Sequence, residues 1–273
     1  MPVRQPIAAG RFYAGTAEEL QKEAAHYLMA GAGISGRRKP WAFMLPHAGY
    51  IYCGDVIGKT LGGEKLADRL IILCPNHTGR GTMLSIWPNG SWLTPLGQVK
   101  VDAVLAEELI QSGGGFSADT MAHLGEHSIE VLLPFIQSIN PDAEIVPVCV
   151  GTRDARALER AGQALARVLR KPENRDVGII VSSDMNHYED EKQTLLKDEK
   201  ALDRALAADP AGLLQITKAE NITMCGAAPL ALALYAARDL GGCEVELADH
   251  STSARASGDY GHVVGYAGLK IYH

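Results

Sequence analysis

Three histidines close three apolar runs in this 273-residue chain. AFMLPH ends at His47, LIILCPNH at His77 and GIIVSSDMNH at His187, with Asp184 three residues before the last. Imidazole is the commonest metal ligand and titrates close to neutral pH, so it serves both metal binding and proton transfer. If the three runs are strands of one sheet, their ends deliver the rings to the edge where open α/β sheets collect ligands. A single loop histidine is ordinarily an unremarkable polar residue; three with one placement point to a shared site. Cys225 is a fourth element. It precedes the helical pattern GAAPLALALYAARDL, in which Pro229 is tolerated in the first turn. The positive end of a helix dipole favours a thiolate, the form that binds metal or attacks an electrophile. A buried, inert thiol is the alternative, and the residues leave both readings of Cys225 open. Cys53, Cys74, Cys149 and Cys243 lie in or beside apolar segments and read as packing.

The elements that must position these residues alternate between strand and helix. Thr16-x-x-Glu19 is a capping box that starts a helix near Thr16. WAFML and LIILC read as core strands, with a short small-residue helix, GDVIGKTLGG, between them. MLSIWP and the segment around Gln98 to Val101 suggest an antiparallel pair joined through NGSWLTPLG. VDAVLAEELIQSG is an amphipathic helix, and EHSIEVLLPFIQSI places Ile129, Leu132, Leu133 and Ile136 on one helical face. AEIVPVCVG is another strand, followed by a helix from Asp154 to Arg170 and the strand DVGIIVSS. Helices near 190–207, 210–217 and 225–239 precede two closing strands, CEVELADH and HVVGYAGLKIY. Alternation with continuous apolar strands predicts an α/β fold: a mostly parallel central sheet flanked by helices on both faces. No shift in composition marks a boundary, so residues 1–273 are expected to form one domain.

Several short motifs invite other chemistry. GDVIGKT, Gly54 to Thr60, ends like a phosphate-binding loop but has one residue too few between its glycines, and Cys53 stands where the first glycine belongs. HLGEH, His123 to His127, has the HxxEH spacing of inverted zinc peptidases, but Gly125 interrupts the helix that motif needs. Glu126 and His127 are expected at a helix start, as pocket residues or as a cap. Tyr50 and Tyr52 could line a pocket beside His47 or pack at the sheet edge. No GxSxG elbow is present, so the nucleophile of an α/β-hydrolase is missing.

Composition sets outer limits. Hydrophobic residues make up 47% and charged residues 21%, an ordinary globular balance that fills a sizeable core. With 26 basic and 32 acidic residues the net charge is −6, which argues against a nucleic-acid or acidic-membrane binder. The longest apolar stretch, Met224 to Ala237, is shorter than the ~20 residues a membrane span needs. MPVRQPIAAGRFYAG lacks the apolar core of a secretory signal. Five cysteines without CxxC spacing do not read as a disulfide framework. A cytoplasmic protein with reduced thiols is the expectation.

At PHAGYIYCG, CPNHTG, EHSIEVLLPF, SSDMNHY and MCGAAP the chain resembles the Memo family, whose microbial members are often called AmmeMemoRadiSam system protein B. The likeness runs from RQPIAAGRFYAG to GHVVGYAG and so covers essentially the whole chain. That family is similar in fold to the class III extradiol dioxygenases, single α/β domains with a non-haem metal cleft. The resemblance implies that His47, His77 and Cys225 bind the metal, with His187 as the catalytic histidine and Asp184 beside it; Asp184 is expected to orient or modulate His187. Glu126 and His127, in the family's EHS motif, would sit in the substrate pocket, where Asn76 and Tyr50 are also expected. Non-haem iron is the implied cofactor, with copper or zinc as alternatives. Cys225 stands where the dioxygenases carry a carboxylate; a thiolate is softer and oxidisable, so strong ring cleavage is not expected. Two functions stay open: a metal-dependent redox or oxygen-dependent enzyme acting on an unknown small molecule, and a non-catalytic module whose cleft recognises an anionic group or a partner peptide. The family name implies a radical SAM protein and an AMMECR-type protein as partners.

Overall fold

The computed structural model describes residues 2–33 and 38–273. Twelve strands are found among them: β1 (Val3–Arg4), β2 (Ala42–Leu45), β3 (Arg69–Pro75), β4 (Leu84–Ile86), β5 (Ser91–Thr94) and β6 (Gly97–Lys100), then β7 (Ser117–Ala118), β8 (Glu144–Val150), β9 (Gly178–Ser182), β10 (His187–Glu189), β11 (Glu244–Thr252) and β12 (Val263–Tyr272). The α-helices are α1 (Ala17–Met29), α2 (Tyr50–Leu61), α3 (Ala103–Gln111), α4 (Met121–Leu124) and α5 (Leu133–Ile139), followed by α6 (Ala155–Leu169), α7 (Glu191–Leu206), α8 (Pro210–Ala219), α9 (Ala227–Leu240) and α10 (Ala254–Ser257). Among the described residues no helix is long and apolar enough to cross a membrane.

The large sheet runs β10-β12-β2-β9-β3-β8-β4-β7, with β11 paired to β12. Its centre, β2-β9-β3-β8, is parallel. The flanks are not: β12 meets β2, and β4 meets β8, in the antiparallel sense. The expected α/β architecture is therefore present, with the parallel part confined to the middle. Side chains of a strand alternate between faces, and here both faces are apolar. Ala42, Met44, Ile71, Leu73, Val146, Ile179 and Val181 pack on one face under α3, α6, α8 and α9. Phe43, Leu45, Ile72, Cys74, Ile145, Cys149 and Ile180 pack on the other under α1, α2 and α5. This double burial is why the strands read as continuous apolar runs.

The helix signals hold at the caps. The Thr16 side chain accepts from the Glu19 N–H, and Asp154 caps α6 through the Ala157 N–H. The expected antiparallel pairing of MLSIWP with Gln98–Val101 is corrected: β6 pairs with β5, drawn from the supposed connection, and β4 pairs with β8 instead. β4 is the more apolar strand and is buried throughout, so it joins the main sheet, while β5 and β6 make a small sheet with β1. Gly54 and Gly58 of the GDVIGKT stretch lie inside α2, where a Cβ would overlap the Tyr27 ring or carbonyl of α1. Their role is close helix packing.

Candidate metal centre

β2, β9 and β3 are adjacent, with β9 in the middle, and their carboxyl ends build the site. β2 stops at Leu45, Pro46 carries the chain outward, and His47 follows. Its backbone N–H donates to Asp184 Oδ1 at 2.7 Å, tying the end of β2 to the end of β9. At the end of β3, Asn76 Oδ1 accepts from the Thr78 and Gly79 N–H groups while its Nδ2 donates to the Arg80 carbonyl. Asn76 thus folds the loop that turns His77 inward. Cys225 comes from the turn before α9. That turn packs against β9: the Gly226 N–H donates to Ser183 Oγ, and a Cβ at Gly226 would overlap the Ser183 side chain.

The three donors converge. The candidate ligand atoms of His47, His77 and Cys225 lie within 4.8 Å of one another. Cys225 Sγ is 3.4 Å from His47 Nε2 and accepts the Asp184 N–H at 3.2 Å. Hydrogen bonding assigns the tautomers. The Ser182 hydroxyl donates to the Ser128 carbonyl, so at 2.7 Å it accepts from His47 Nδ1–H. The Glu126 carboxylate accepts from His77 Nδ1–H at 2.8 Å. Both imidazoles therefore carry a proton on Nδ1, and in the neutral ring the lone pair is on Nε2, which at His47 faces the cysteine sulfur.

Electrostatics favours the neutral ring at His47 and the charged ring at His77. Burial pushes the His47 pKa down to about 4, outweighing the attraction of the Asp184 carboxylate, so the ring is neutral as a ligand must be. Burial also disfavours the His77 cation, but the hydrogen bond and charge of Glu126 more than reverse this and raise its pKa. Glu126 itself is lowered to about 2: its own burial opposes ionisation, and the bonds from His77 and Ser128 overcome that cost. Cys225 differs from the sequence expectation. Burial, with the Asp184 charge, holds its thiol well above the usual range, so the helix end alone does not make a thiolate. A bound cation would invert this balance. Two imidazoles and a thiol whose donor atoms lie close together fit a non-haem iron, copper or zinc ion, which would displace a proton from His77 and from Cys225 and leave coordination positions for another ligand.

A second grouping, His77, Glu126 and His127, also has its donor atoms close together. Glu126 is fully buried, and both of its oxygens are already engaged: Oε2 by the His77 N–H, Oε1 by His77 Nδ1 and by the Ser128 N–H and hydroxyl. It supports His77 from behind and is a poor ligand. The α4 helix ends at Leu124, so Glu126 and His127 lie in a bend before the 3-10 turn Glu130–Leu132 and not at the start of α5. His123 is buried against Trp87 and Trp92, with Nε2 bonded to the Ser85 carbonyl. The HxxEH residues thus share no helical face, and the peptidase geometry is absent.

The donors sit at the base of a cleft of about 710 Å³. Its walls include His127, Asp184, His187, Thr223, Arg11, Phe12, Tyr52, Tyr188 and Tyr266. His127 stacks on His77 with ring centres 5.2 Å apart, and the tilted Phe12 ring lies 4.8 Å from it. His187 lies on β10, five residues beyond the end of β9, and its N–H donates to Thr223 Oγ1. The Asp184 carboxylate accepts from the His47 N–H and its own N–H donates to Cys225 Sγ, and among the described residues no hydrogen bond joins it to His187. Of the expected pocket residues, Tyr50, Asn76 and Glu126 do not line the cleft; Glu126 is fully buried behind His77. Tyr50 is buried with its hydroxyl donating to the Val131 carbonyl; on the first turn of α2 it points into the core, while Tyr52 faces the cleft. Sequence reasoning passed over Ser128, Ser182 and Thr223, whose only signal was polarity next to the motif histidines.

Residues 4–270 match the family described as Memo-like protein. The chain belongs to the Memo family. A MEMO1 family protein of Sulfurisphaera tokodaii is 34% identical over 98% of this chain and 99% of its own length. One from Methanopyrus kandleri is 37% identical over 97% and 98%. Among solved structures, an uncharacterized protein from Escherichia coli K12 has a TM-score of 0.57 at 13% identity, covering 85% of this chain and all of that one; that likeness concerns the fold. Memo family membership fits a cleft to which PHAGYIYCG, CPNHTG, EHS, SSDMNHY and MCGAAP each contribute lining residues, beside Arg11, Phe12, Thr223, Val264 and Tyr266.

Proposed function

We propose that this Memo family protein binds one metal ion through His47 Nε2, His77 Nε2 and Cys225 Sγ, and uses it in redox or oxygen-dependent chemistry on a small molecule. The observation that carries the reading is the convergence of the three donors with both imidazoles protonated on Nδ1. Non-haem iron is the first candidate, and copper or zinc competes because a thiolate suits softer ions. When bound, the metal would supply Lewis acidity and, as iron or copper, one-electron chemistry. The chain supplies the rest. Phe12, Tyr52 and Tyr266 wall the cleft and limit water, Asp184 fixes His47 and Cys225 together, and His187 is the proton-transfer group. Its Nδ1 is buried without a partner among the described residues, so Nε2 is the nitrogen available to substrate.

The test begins with metal analysis of protein purified without a histidine tag, set against Cys225→Ala. Equal metal in both removes Cys225 from the ligand set. An oxygen-uptake and substrate screen of iron-loaded protein follows; turnover abolished by His187→Ala supports the enzyme.

One observation favours a second reading, the binding module. Tyr188, which lines the cleft, is 75% exposed and adopts φ 63°, an uncommon backbone for a bulky residue, and Tyr52 of the same lining is 43% exposed. A partner peptide, or the radical SAM and AMMECR-type proteins implied by the family resemblance, would cover such a surface. Tight binding to either protein that survives His187→Ala supports the module over the enzyme.

A further inference from the structure

The two imidazoles are joined from behind by one buried chain of hydrogen bonds. From His47, Nδ1–H donates to Ser182 Oγ, and that hydroxyl donates to the Ser128 carbonyl, each at 2.7 Å. From Ser128, the N–H and the hydroxyl both donate to Glu126 Oε1, at 3.1 and 2.8 Å. Glu126 Oε1 accepts in turn from His77 Nδ1–H at 2.8 Å. Ser128, Ser182 and Glu126 are all fully buried, so water does not compete for any of these bonds. A serine hydroxyl has a single proton. Because Ser182 spends it on a backbone carbonyl, its oxygen is left only to accept, and His47 is left only to donate. Because a carboxylate only accepts, His77 must donate as well. The two hydrogen-bonded halves meet at Ser128, whose backbone oxygen anchors one half and whose N–H and hydroxyl anchor the other.

We propose that Ser182 and Ser128 are positioning residues: they hold His47 and His77 as Nδ1–H tautomers and aim both Nε2 lone pairs at one point. This rests on the metal-binding reading for its consequence and on hydrogen bonding alone for its cause. Ser182 governs His47. The Ser128 hydroxyl governs Glu126, and through it the plane of the His77 ring. Partners of this kind set the tautomer and direction of a ligand histidine, and their removal typically weakens metal binding roughly 10- to 100-fold.

The experiment reads tautomers in metal-free protein and affinity separately. Long-range proton–nitrogen NMR of the histidine rings is recorded for the wild type, Ser182→Ala, Ser128→Ala and Ser182→Thr, each checked for folding by circular dichroism. Titration with cobalt(II) against a chelator of known affinity gives the metal arm. In the wild type both His47 and His77 are expected as Nδ1–H tautomers. In Ser182→Ala, His47 alone gains the Nε2–H form and cobalt affinity falls roughly 10- to 100-fold; Ser182→Thr, which keeps the hydroxyl, restores both. In Ser128→Ala the His47 tautomer is unchanged, while the His77 ring signals shift and affinity falls. An Nε2–H His47 in the wild type, or a Ser182→Ala protein with unchanged tautomer, overturns the proposal. The expected tautomers and their response to Ser182→Ala, found in a wild type that takes up no cobalt, uphold the positioning role and overturn the metal reading alone.

Discussion

Cys225 Sγ lies 3.4 Å from His47 Nε2, although 178 residues separate the two along the chain. The contact exists because the turn before α9 is bonded to the end of β9 and β9 lies beside β2. The thiol thus faces an imidazole lone pair, and a metal ion placed there would take the position of the thiol proton.

Removal of that sulfur should cost more metal affinity than removal of any partner behind the histidines. Cys225→Ala is expected to lose more than the roughly 100-fold that such partners account for. Cys225→Ser should also lose the sulfur-to-metal charge-transfer absorption of the cobalt(II) form. Absorption spectra during cobalt titration measure both. An unchanged charge-transfer band in Cys225→Ser would place the sulfur outside the coordination sphere.

Acid should destabilise the fold between pH 6.5 and 4. The His47 and His123 pKa values are lowered by burial from 6.5 to about 4. The unfolded chain therefore binds more protons in that window, and stability falls with falling pH. Each depressed histidine accounts for as much as about 3 kcal/mol, fully present above pH 6.5 and lost as pH drops through 4. Glu126, lowered from 4.5 to about 2, adds a further loss below pH 4.5. His77 has a raised pKa and works in the opposite sense, stabilising at low pH and losing that contribution as pH rises through its folded value. His127, also lowered by burial, acts in the same sense. Denaturant midpoints from pH 4 to 7.5 measure the net slope, and His123→Gln should flatten it.

Arg4 and Glu130 form a fully buried ion pair at 2.6 Å. Glu130 also accepts from the Ile7 and Ala8 N–H groups and the Tyr13 hydroxyl, while Arg4 donates to the His123 and Glu126 carbonyls and stacks on Trp92. This pair fastens the N-terminal strap that supplies Arg11 and Phe12 to the cleft wall. Arg4→Met leaves a buried carboxylate without its cation and should cost about 3–5 kcal/mol. Urea unfolding measures it; a loss under 1 kcal/mol would show that the strap is held by other contacts.

Gly58→Ala tests the helix-packing role of the GDVIGKT glycines. The added methyl meets the Tyr27 carbonyl oxygen, a backbone atom that cannot swing away. Destabilisation of at least about 2 kcal/mol is expected, as for overpacking elsewhere. Because the site lies at the other end of α2, metal affinity at pH 7.5 should be unchanged while the protein remains folded.

The residues by themselves determined most of the elements and the covered α/β sheet, and singled out His47, His77 and Cys225, which the fold brings together. These are local properties: apolar runs that fit a sheet buried on both faces, caps such as Thr16, and histidines placed at strand ends. Sequence order could not place β4 against β8, because pairing partners are chosen by which apolar strand completes the core and not by proximity in the chain. Nor could it separate Tyr50 from Tyr52, since the facing of an α2 residue depends on how the helix packs. Only the tertiary structure brought Ser182 and Ser128 behind the imidazoles and turned Asp184 toward His47 and Cys225. Those decisions rest on hydrogen bonds between segments more than 40 residues apart, and a hydrogen bond has no pattern along a chain, only a length and a direction in space.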